Sequence, residues 1–102
     1  MRVVGKVGDF LDSKATRVEL DGVAICVVRV GDDFYAVADT CSHAEFSLSE
    51  GEVWPDECEI ECPKHGAMFS LLTGEPQTLP ATQPVDVFDV SVVDDDVCVS
   101  AR

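Results

Sequence analysis

Short apolar and β-branched segments recur along most of this chain, and polar turn signals separate them. Residues 15–20 alternate moderately well between apolar and polar side chains, and residues 23–30 (VAICVVRV) are almost continuously apolar. An unbroken β-branched run predicts a strand that is covered on both faces. Asp21 and Gly22 lie between these segments, and both tolerate positive φ, so we expect a tight hairpin turn there.

Further short strands are predicted along the rest of the chain. They lie at residues 34–38, 58–61, the start of the segment MFSLLTG, 85–92 and 97–100. Residues 75–84 hold three of the five prolines and are predicted to be irregular. No segment keeps a helical period of 3.6 over ten or more residues. The pattern therefore predicts an all-β fold, a small antiparallel sandwich or barrel.

The length of 102 residues is that of one domain, and we expect residues 1–102 to form it. The pattern changes at approximately residues 39–74, where two segments containing cysteine and histidine flank a short strand. We expect these segments to be loops inserted in the β framework. The chain starts without a signal-peptide pattern and has no apolar run of about 18 residues, so we expect a cytoplasmic monomer with no membrane partner.

The charge of the chain is strongly acidic. Seven basic residues stand against 20 acidic ones, for a formal net charge of −13. Nucleic acid and anionic membranes would be repelled, which argues against both as partners. A protein with a basic patch would instead be attracted. The stretch 45–61 has seven acidic residues and no basic one, so it is either a docking face or a solvated surface.

Two short segments bring cysteine and histidine together. They are Cys41-Ser42-His43 and Cys62-Pro63-Lys64-His65, with 18 residues between His43 and Cys62. Each segment supplies one thiolate and one imidazole, and its short spacing lets a turn direct both side chains at one centre. The total of five cysteines is odd and fits a disulfide framework poorly. The sequence therefore predicts a metal site.

Two kinds of metal centre use these ligands. A Cys₂His₂ zinc site would be structural. A Rieske [2Fe–2S] cluster has two cysteines on one iron and two histidines on the other. Zinc fingers usually pair cysteine with cysteine and histidine with histidine along the chain, so the alternating order here is unusual for zinc.

The segments around these residues resemble the bacterial Rieske ferredoxins that serve non-haem iron oxygenases. The resemblance rests on CSH, CPKHG, the intervening FSLSEGEV, LLTGEP and the proline-containing LPATQPVDVF, and it covers practically the whole chain. It implies the Rieske fold, with a cluster-binding subdomain of two hairpin loops and one [2Fe–2S] cluster. By this resemblance Cys41 and Cys62 bind the buried iron, and His43 and His65 bind the outer one.

The resemblance implies an electron carrier with no catalytic residue of its own. Its partners would be a flavin-dependent ferredoxin reductase and the terminal component of an oxygenase. Three alternatives stay open: a Rieske protein of iron–sulfur cluster assembly, the small subunit of a nitrite-reductase-type enzyme, and a zinc-stabilised interaction module. The nitrite-reductase relatives often lack the four ligands, whereas this chain keeps them.

Four positions depart from the Rieske proteins of respiratory complexes. Phe46 and Lys64 stand where those proteins have a pair of disulfide-bonded cysteines, and Ala67 and Phe69 stand where they have a serine and a tyrosine. In the respiratory proteins this serine and tyrosine donate hydrogen bonds to cluster sulfurs and so stabilise the reduced state. Ala67 and Phe69 have no side-chain donor. The absence of these donors predicts a potential at the low end of the Rieske range, on the order of −150 mV.

The remaining cysteines and the single tryptophan carry weaker signals. Cys26, Cys58 and Cys98 lie in segments predicted to be strands, where a free cysteine behaves as a small hydrophobic residue. Trp54 precedes Pro55, and we expect it to pack at a turn rather than to dock a partner.

Overall fold

The fold consists of two antiparallel sheets, as seen in a computed structural model that describes residues 2–40, 46–63, 66–77 and 83–101. The strands are β1 (Arg2–Lys6), β2 (Lys14–Leu20), β3 (Val23–Val30), β4 (Asp33–Ala38), β5 (Val53–Trp54), β6 (Glu59–Glu61), β7 (Met68–Ser70), β8 (Val87–Val93) and β9 (Asp96–Ala101). Two single-turn 3₁₀ helices cover Val7–Asp9 and Leu48–Glu50. The all-β prediction is confirmed.

The larger sheet curls until it is nearly closed. Its strand order is β1-β9-β8-β4-β3-β2, and its two edge strands approach each other. An exposed ion pair of 3.2 Å, from Arg2 to Asp21, crosses this gap. The smaller sheet, in the order β5-β6-β7, packs against one face of the larger one. No helix in the described part of the chain is long and apolar enough to cross a membrane.

Strand β3 contributes to two apolar cores, one on each of its faces. Cys26 and Val28 belong to the core between the two sheets, whereas Ile25 and Val27 belong to the core inside the curled sheet. Successive side chains of a strand point to opposite faces, which explains this division. The prediction of a strand covered on both faces is confirmed.

The hairpin turn between β2 and β3 is also confirmed. Asp21 has a φ of 52° and Gly22 a φ of 81°, as a type I′ turn requires. Asp94 and Asp95 make the corresponding turn between β8 and β9, again with positive φ. In its described part, the proline-rich segment forms no strand and pairs through a single bridge between Pro76 and Phe69.

The structure corrects the sequence predictions at three places. Strand β1 was not predicted, because it is short and a register shift between Val3 and Gly5 interrupts its pairing with β9. Cys58 was predicted to begin a strand, but its φ of 55° places it in the turn before β6. Strand β8 begins two residues later than predicted, at Val87.

Candidate metal centre

The chain leaves the large sheet at the end of β4, three residues before the first predicted ligand, Cys41. Thr40 pairs with Ser47 in an antiparallel bridge, and the backbone N–H of Leu48 donates to the carbonyl oxygen of Asp39 at 2.6 Å. These contacts close both ends of a short loop. The predicted ligands Cys41 and His43 belong to this loop and lie outside the described residues.

The second ligand segment connects β6 and β7. The N–H of Cys62 donates to the carbonyl of Ala67 at 2.7 Å, and the N–H of Gly66 donates to the carbonyl of Cys62 at 3.0 Å. Gly66 has a φ of 71°, a conformation that glycine adopts without strain. His65 precedes Gly66 in the sequence and lies outside the described residues.

The stems of the two loops lie directly against each other. Gly51 follows the second 3₁₀ helix, and a Cβ atom added to it would come within 1.7 Å of the carbonyl oxygen of Glu61. The N–H of Glu61 donates to the carbonyl of Glu52 at 2.8 Å. Leu48 and Cys62 are both buried in the core between the sheets. The backbone therefore places the end of the first ligand loop beside the start of the second.

Cys62 lies in an apolar environment. It is fully buried in the same core cluster as Ala67 and Phe69, which are themselves fully buried. Neither of these neighbours has a side-chain hydrogen-bond donor, in agreement with the sequence interpretation of both positions. A buried free thiol at the base of a closed turn fits a thiolate ligand for the sheltered iron of a mixed-ligand cluster.

The outer face of the small sheet carries polar groups next to the second loop. The indole Nε1–H of Trp54 donates to Oε1 of Glu61 at 2.9 Å. The other carboxylate oxygen of Glu61 lies 3.5 Å from where a Cβ on Gly66 would be. Trp54 is the last residue of β5, directly before the turn that begins at Pro55, and it is 41% exposed.

The other cysteines differ in their surroundings. Cys26 and Cys98 are buried in strands, as predicted for small hydrophobic residues. Burial raises the pKa of the Cys26 thiol, and the nearby Asp39 carboxylate raises it further. Cys58 is partly buried, and its hydrogen bond with Tyr35 is the main cause of a raised pKa of that tyrosine.

The described residues do not form a metal site by themselves. No three histidine, cysteine or carboxylate side chains among them are grouped closely enough to hold a metal ion. A centre at this position therefore depends on Cys41, His43 and His65 in addition to Cys62. Their two thiols and two imidazoles are the donor set of a Rieske cluster.

The profile of the Rieske [2Fe–2S] domain family matches residues 1–89 of the chain. The chain belongs to this family. One Rieske-type [2Fe–2S] cluster is the cofactor that the family implies, and the family match argues against the zinc alternative.

Individual relatives of this Rieske protein are ferredoxins. Ferredoxin CarAc of Metapseudomonas resinovorans is 48% identical over 87 residues, which cover 84% of this chain and 79% of the relative. The ferredoxin of carbazole 1,9a-dioxygenase from Nocardioides aromaticivorans IC177 superposes with a TM-score of 0.95, at 36% identity, over 99% of this chain and 97% of that one.

A second solved structure bears on partners. It is the complex of reduced oxygenase and oxidised ferredoxin in carbazole 1,9a-dioxygenase, which matches with a TM-score of 0.89 and 42% identity over 97% of this chain and 91% of that chain. These similarities confirm the predicted Rieske ferredoxin fold.

Sequence reasoning missed one residue at the base of the site. Asp39 is 1% exposed and precedes the first ligand segment. The available signal was a single carboxylate directly after the apolar strand FYAVA and two residues before a predicted cysteine ligand.

Proposed function

We propose that this protein is a one-electron carrier, a Rieske ferredoxin that accepts electrons from a flavin-dependent ferredoxin reductase and delivers them to the terminal component of a non-haem iron oxygenase. The observation that carries the proposal is the match to a solved ferredoxin that is in complex with its oxygenase. That ferredoxin aligns over 97% of this chain, which supports the same role here.

The proposed ligands are Cys41, His43, Cys62 and His65. Cys41 and Cys62 would hold the sheltered iron, and His43 and His65 the outer one. When bound, the cluster supplies a centre that takes up and releases one electron at a time. The buried position of Cys62 in an apolar core supports the assignment of the sheltered side.

The residues around Cys62 favour a low potential. Ala67 and Phe69 exclude water from the core below the second loop and offer no side-chain donor to a cluster sulfur. Donors to sulfur stabilise the reduced state, so their absence lowers the potential. We expect a midpoint on the order of −150 mV, measured by spectroelectrochemistry.

In this role the protein would catalyse no reaction of its own. Residues 1–102 would form a single Rieske domain, with the ligand loops at approximately 39–74, that works as a monomer in the cytoplasm. Specificity would come from docking to the reductase and the oxygenase, and neither nucleic acid nor a membrane would take part.

The experiment that tests the proposal measures electron delivery. The purified protein is reduced under anaerobic conditions and mixed with the oxidised oxygenase component of a carbazole-type dioxygenase. We expect the rhombic EPR signal to be lost from this protein when it is re-isolated after mixing, because its electron has moved to the oxygenase component. The matched control is the protein with Cys62→Ala, which lacks a proposed ligand.

Two results would contradict the proposal. A colourless preparation that contains zinc would reject the cofactor and the function together. A reduced cluster that transfers no electron to oxygenases of this class, and takes none from their flavin reductases, would reject the assigned partners and leave the cluster in place.

A further inference from the structure

A buried carboxylate lies at the base of the first ligand loop. Asp39 is the one polar or charged residue that the fold buries within the described ranges, with 1% of its surface exposed. A buried charge is costly unless other groups stabilise it. Its position two residues before Cys41 therefore needs an explanation.

Within the described residues, Asp39 connects the segments on either side of the first ligand loop through three hydrogen bonds. Its side-chain Oδ1 accepts from the backbone N–H of Ser49 at 3.0 Å, and its carbonyl accepts from Leu48 at 2.6 Å. Its own N–H donates to the carbonyl of Ala24 at 3.1 Å. The residue thus joins the start of the loop to the 3₁₀ helix that follows the loop and to strand β3.

One cation among the described residues lies near the carboxylate of Asp39. It is Arg17, whose Nε lies 3.8 Å from Oδ2 of Asp39. Arg17 is half-exposed and also pairs with Glu19 at 3.2 Å, so its charge is shared and partly screened by water. Asp39 contributes to the raised pKa of Cys26, which shares a core cluster with Cys62. The carboxylate therefore acts electrostatically on a thiol of the core that also contains Cys62.

Covalent geometry limits how far the carboxylate can be from the first ligand. Asp39 is two residues from Cys41 in the sequence, and two residues of extended chain span at most about 7 Å. At such distances charges interact strongly when water is largely excluded.

We propose that Asp39 is a positioning residue for the first ligand loop and a fixed negative charge that lowers the reduction potential of the cluster, and that Arg17 partly offsets this charge. The inference rests on the cluster assigned under the proposed function. Reduction adds one negative charge to the cluster, and a nearby carboxylate opposes that addition.

The test compares variants of opposite sign. Asp39→Asn keeps an oxygen that can accept from Ser49 and removes the charge, so we expect the reduction equilibrium to become threefold to tenfold more favourable, which is about 30 to 60 mV. Arg17→Gln removes the offsetting cation and should shift the potential in the opposite direction. The matched control is Asp21→Asn, because Asp21 is exposed on a turn and should leave the potential unchanged.

Each outcome decides between the roles. Opposite shifts in variants with full cluster content support the inference, since a purely structural residue would change stability without this dependence on sign. Absent shifts, or shifts in the same direction, would overturn it. If Asp39→Asn fails to fold or loses the cluster, Arg17→Gln decides alone, and an unchanged or raised potential rejects the inference. A wild-type protein without the chromophore would instead reject the proposed function.

Discussion

The six-stranded sheet and the ligand-loop region, approximately residues 39–74, hold their residues in place by different means. In the large sheet, β2 and β3 pair over seven consecutive residues, and the turn between them is specified by Asp21 and Gly22. In the loop region the strands are two or three residues long, and direct backbone contacts at Gly51 and Gly74 hold the segments together.

We therefore expect the two regions to respond differently to substitution. A long regular ladder distributes its stability over many pairs, so the loss of one side-chain contact changes little else. Where two backbone segments touch, any added atom displaces both of them. We therefore expect changes in the large sheet to alter stability and changes in the loop region to alter the cluster.

The largest effect is expected from removing a ligand. Replacing His43, His65 or Cys62 singly by alanine should abolish the iron–sulfide chromophore, because one iron of the cluster would lose one of its two protein ligands. Absorption spectra and iron content measure this loss. Cys98→Ala is the matched control, since Cys98 is a free cysteine in strand β9. Retention of an unaltered chromophore in both histidine variants would contradict the assigned site.

A large effect is also expected from a methyl group at Gly51. The added Cβ would meet the Glu61 carbonyl oxygen at 1.7 Å, so the stems of the two ligand loops must separate. We expect Gly51→Ala to lower the free energy of unfolding by about 3 kcal/mol and to reduce cluster content. Gly8→Ala is the control, because a Cβ there meets nothing within 4 Å. Equal stability of the two variants in urea unfolding would show that the stems are not in contact.

A moderate effect without a change in the cluster is expected at Arg29. Its guanidinium donates to the carbonyls of Val7, Phe10 and Gly31 and lies 5.7 Å from the ring centre of Phe34. Arg29→Met should cost about 2 kcal/mol of stability because charge-assisted hydrogen bonds are lost.

The reduction potential and EPR signal of this variant should stay those of the wild type. The exposed pair of Arg2 provides the comparison, and Arg2→Met should change stability by less than about 0.5 kcal/mol. A shifted potential in Arg29→Met would show that the two regions are not separable in this way.

The smallest effect concerns pH and the framework alone. A hydrogen bond to Asp96 and the attraction of its charge raise the pKa of Lys6. Because the pKa of Lys6 is raised in the folded state, protonated Lys6 stabilises the folded protein at pH values below 10.5, its pKa in the unfolded chain. This stabilisation is lost as the pH rises through the pKa of Lys6 in the folded state. The side chain is exposed, so the change should be slight. Urea midpoints of the wild type and of Lys6→Met should converge at high pH, and parallel curves would exclude the pair as the cause.

The part of the fold that the sequence could predict is the part with regular patterns. The β-branched run VAICVVRV and the dipeptide Asp21-Gly22 defined β3 and its hairpin, because strand packing and turn geometry leave a local signal. Strand β1 left no such signal, since a bulge breaks its period. Cys58 was misplaced because its left-handed conformation is rare for a cysteine.

The ligand types of the candidate site were predictable from the sequence, whereas the contacts that hold the ligand segments together were less so. The order of cysteine and histidine along the chain predicted the family that the comparisons then identified. Three of the four ligands lie outside the described residues, so their assignment stays a prediction. The contact of Gly51 with Glu61 and the burial of Asp39 depend on segments distant in sequence, and no local pattern announces such contacts.

The position of β3 between the two cores should couple the unfolding of one core to that of the other. Ile25 and Val27 belong to the core inside the curled sheet, while Cys26 and Val28 belong to the core between the sheets, which also contains Cys62. Because β3 contributes to both cores, a denaturant that disrupts the packing of one core also removes packing contacts from the other. Bleaching of the red-brown colour should therefore follow the same transition as the loss of the far-ultraviolet circular dichroism signal, and the colour of the sample would serve as a gauge of global unfolding.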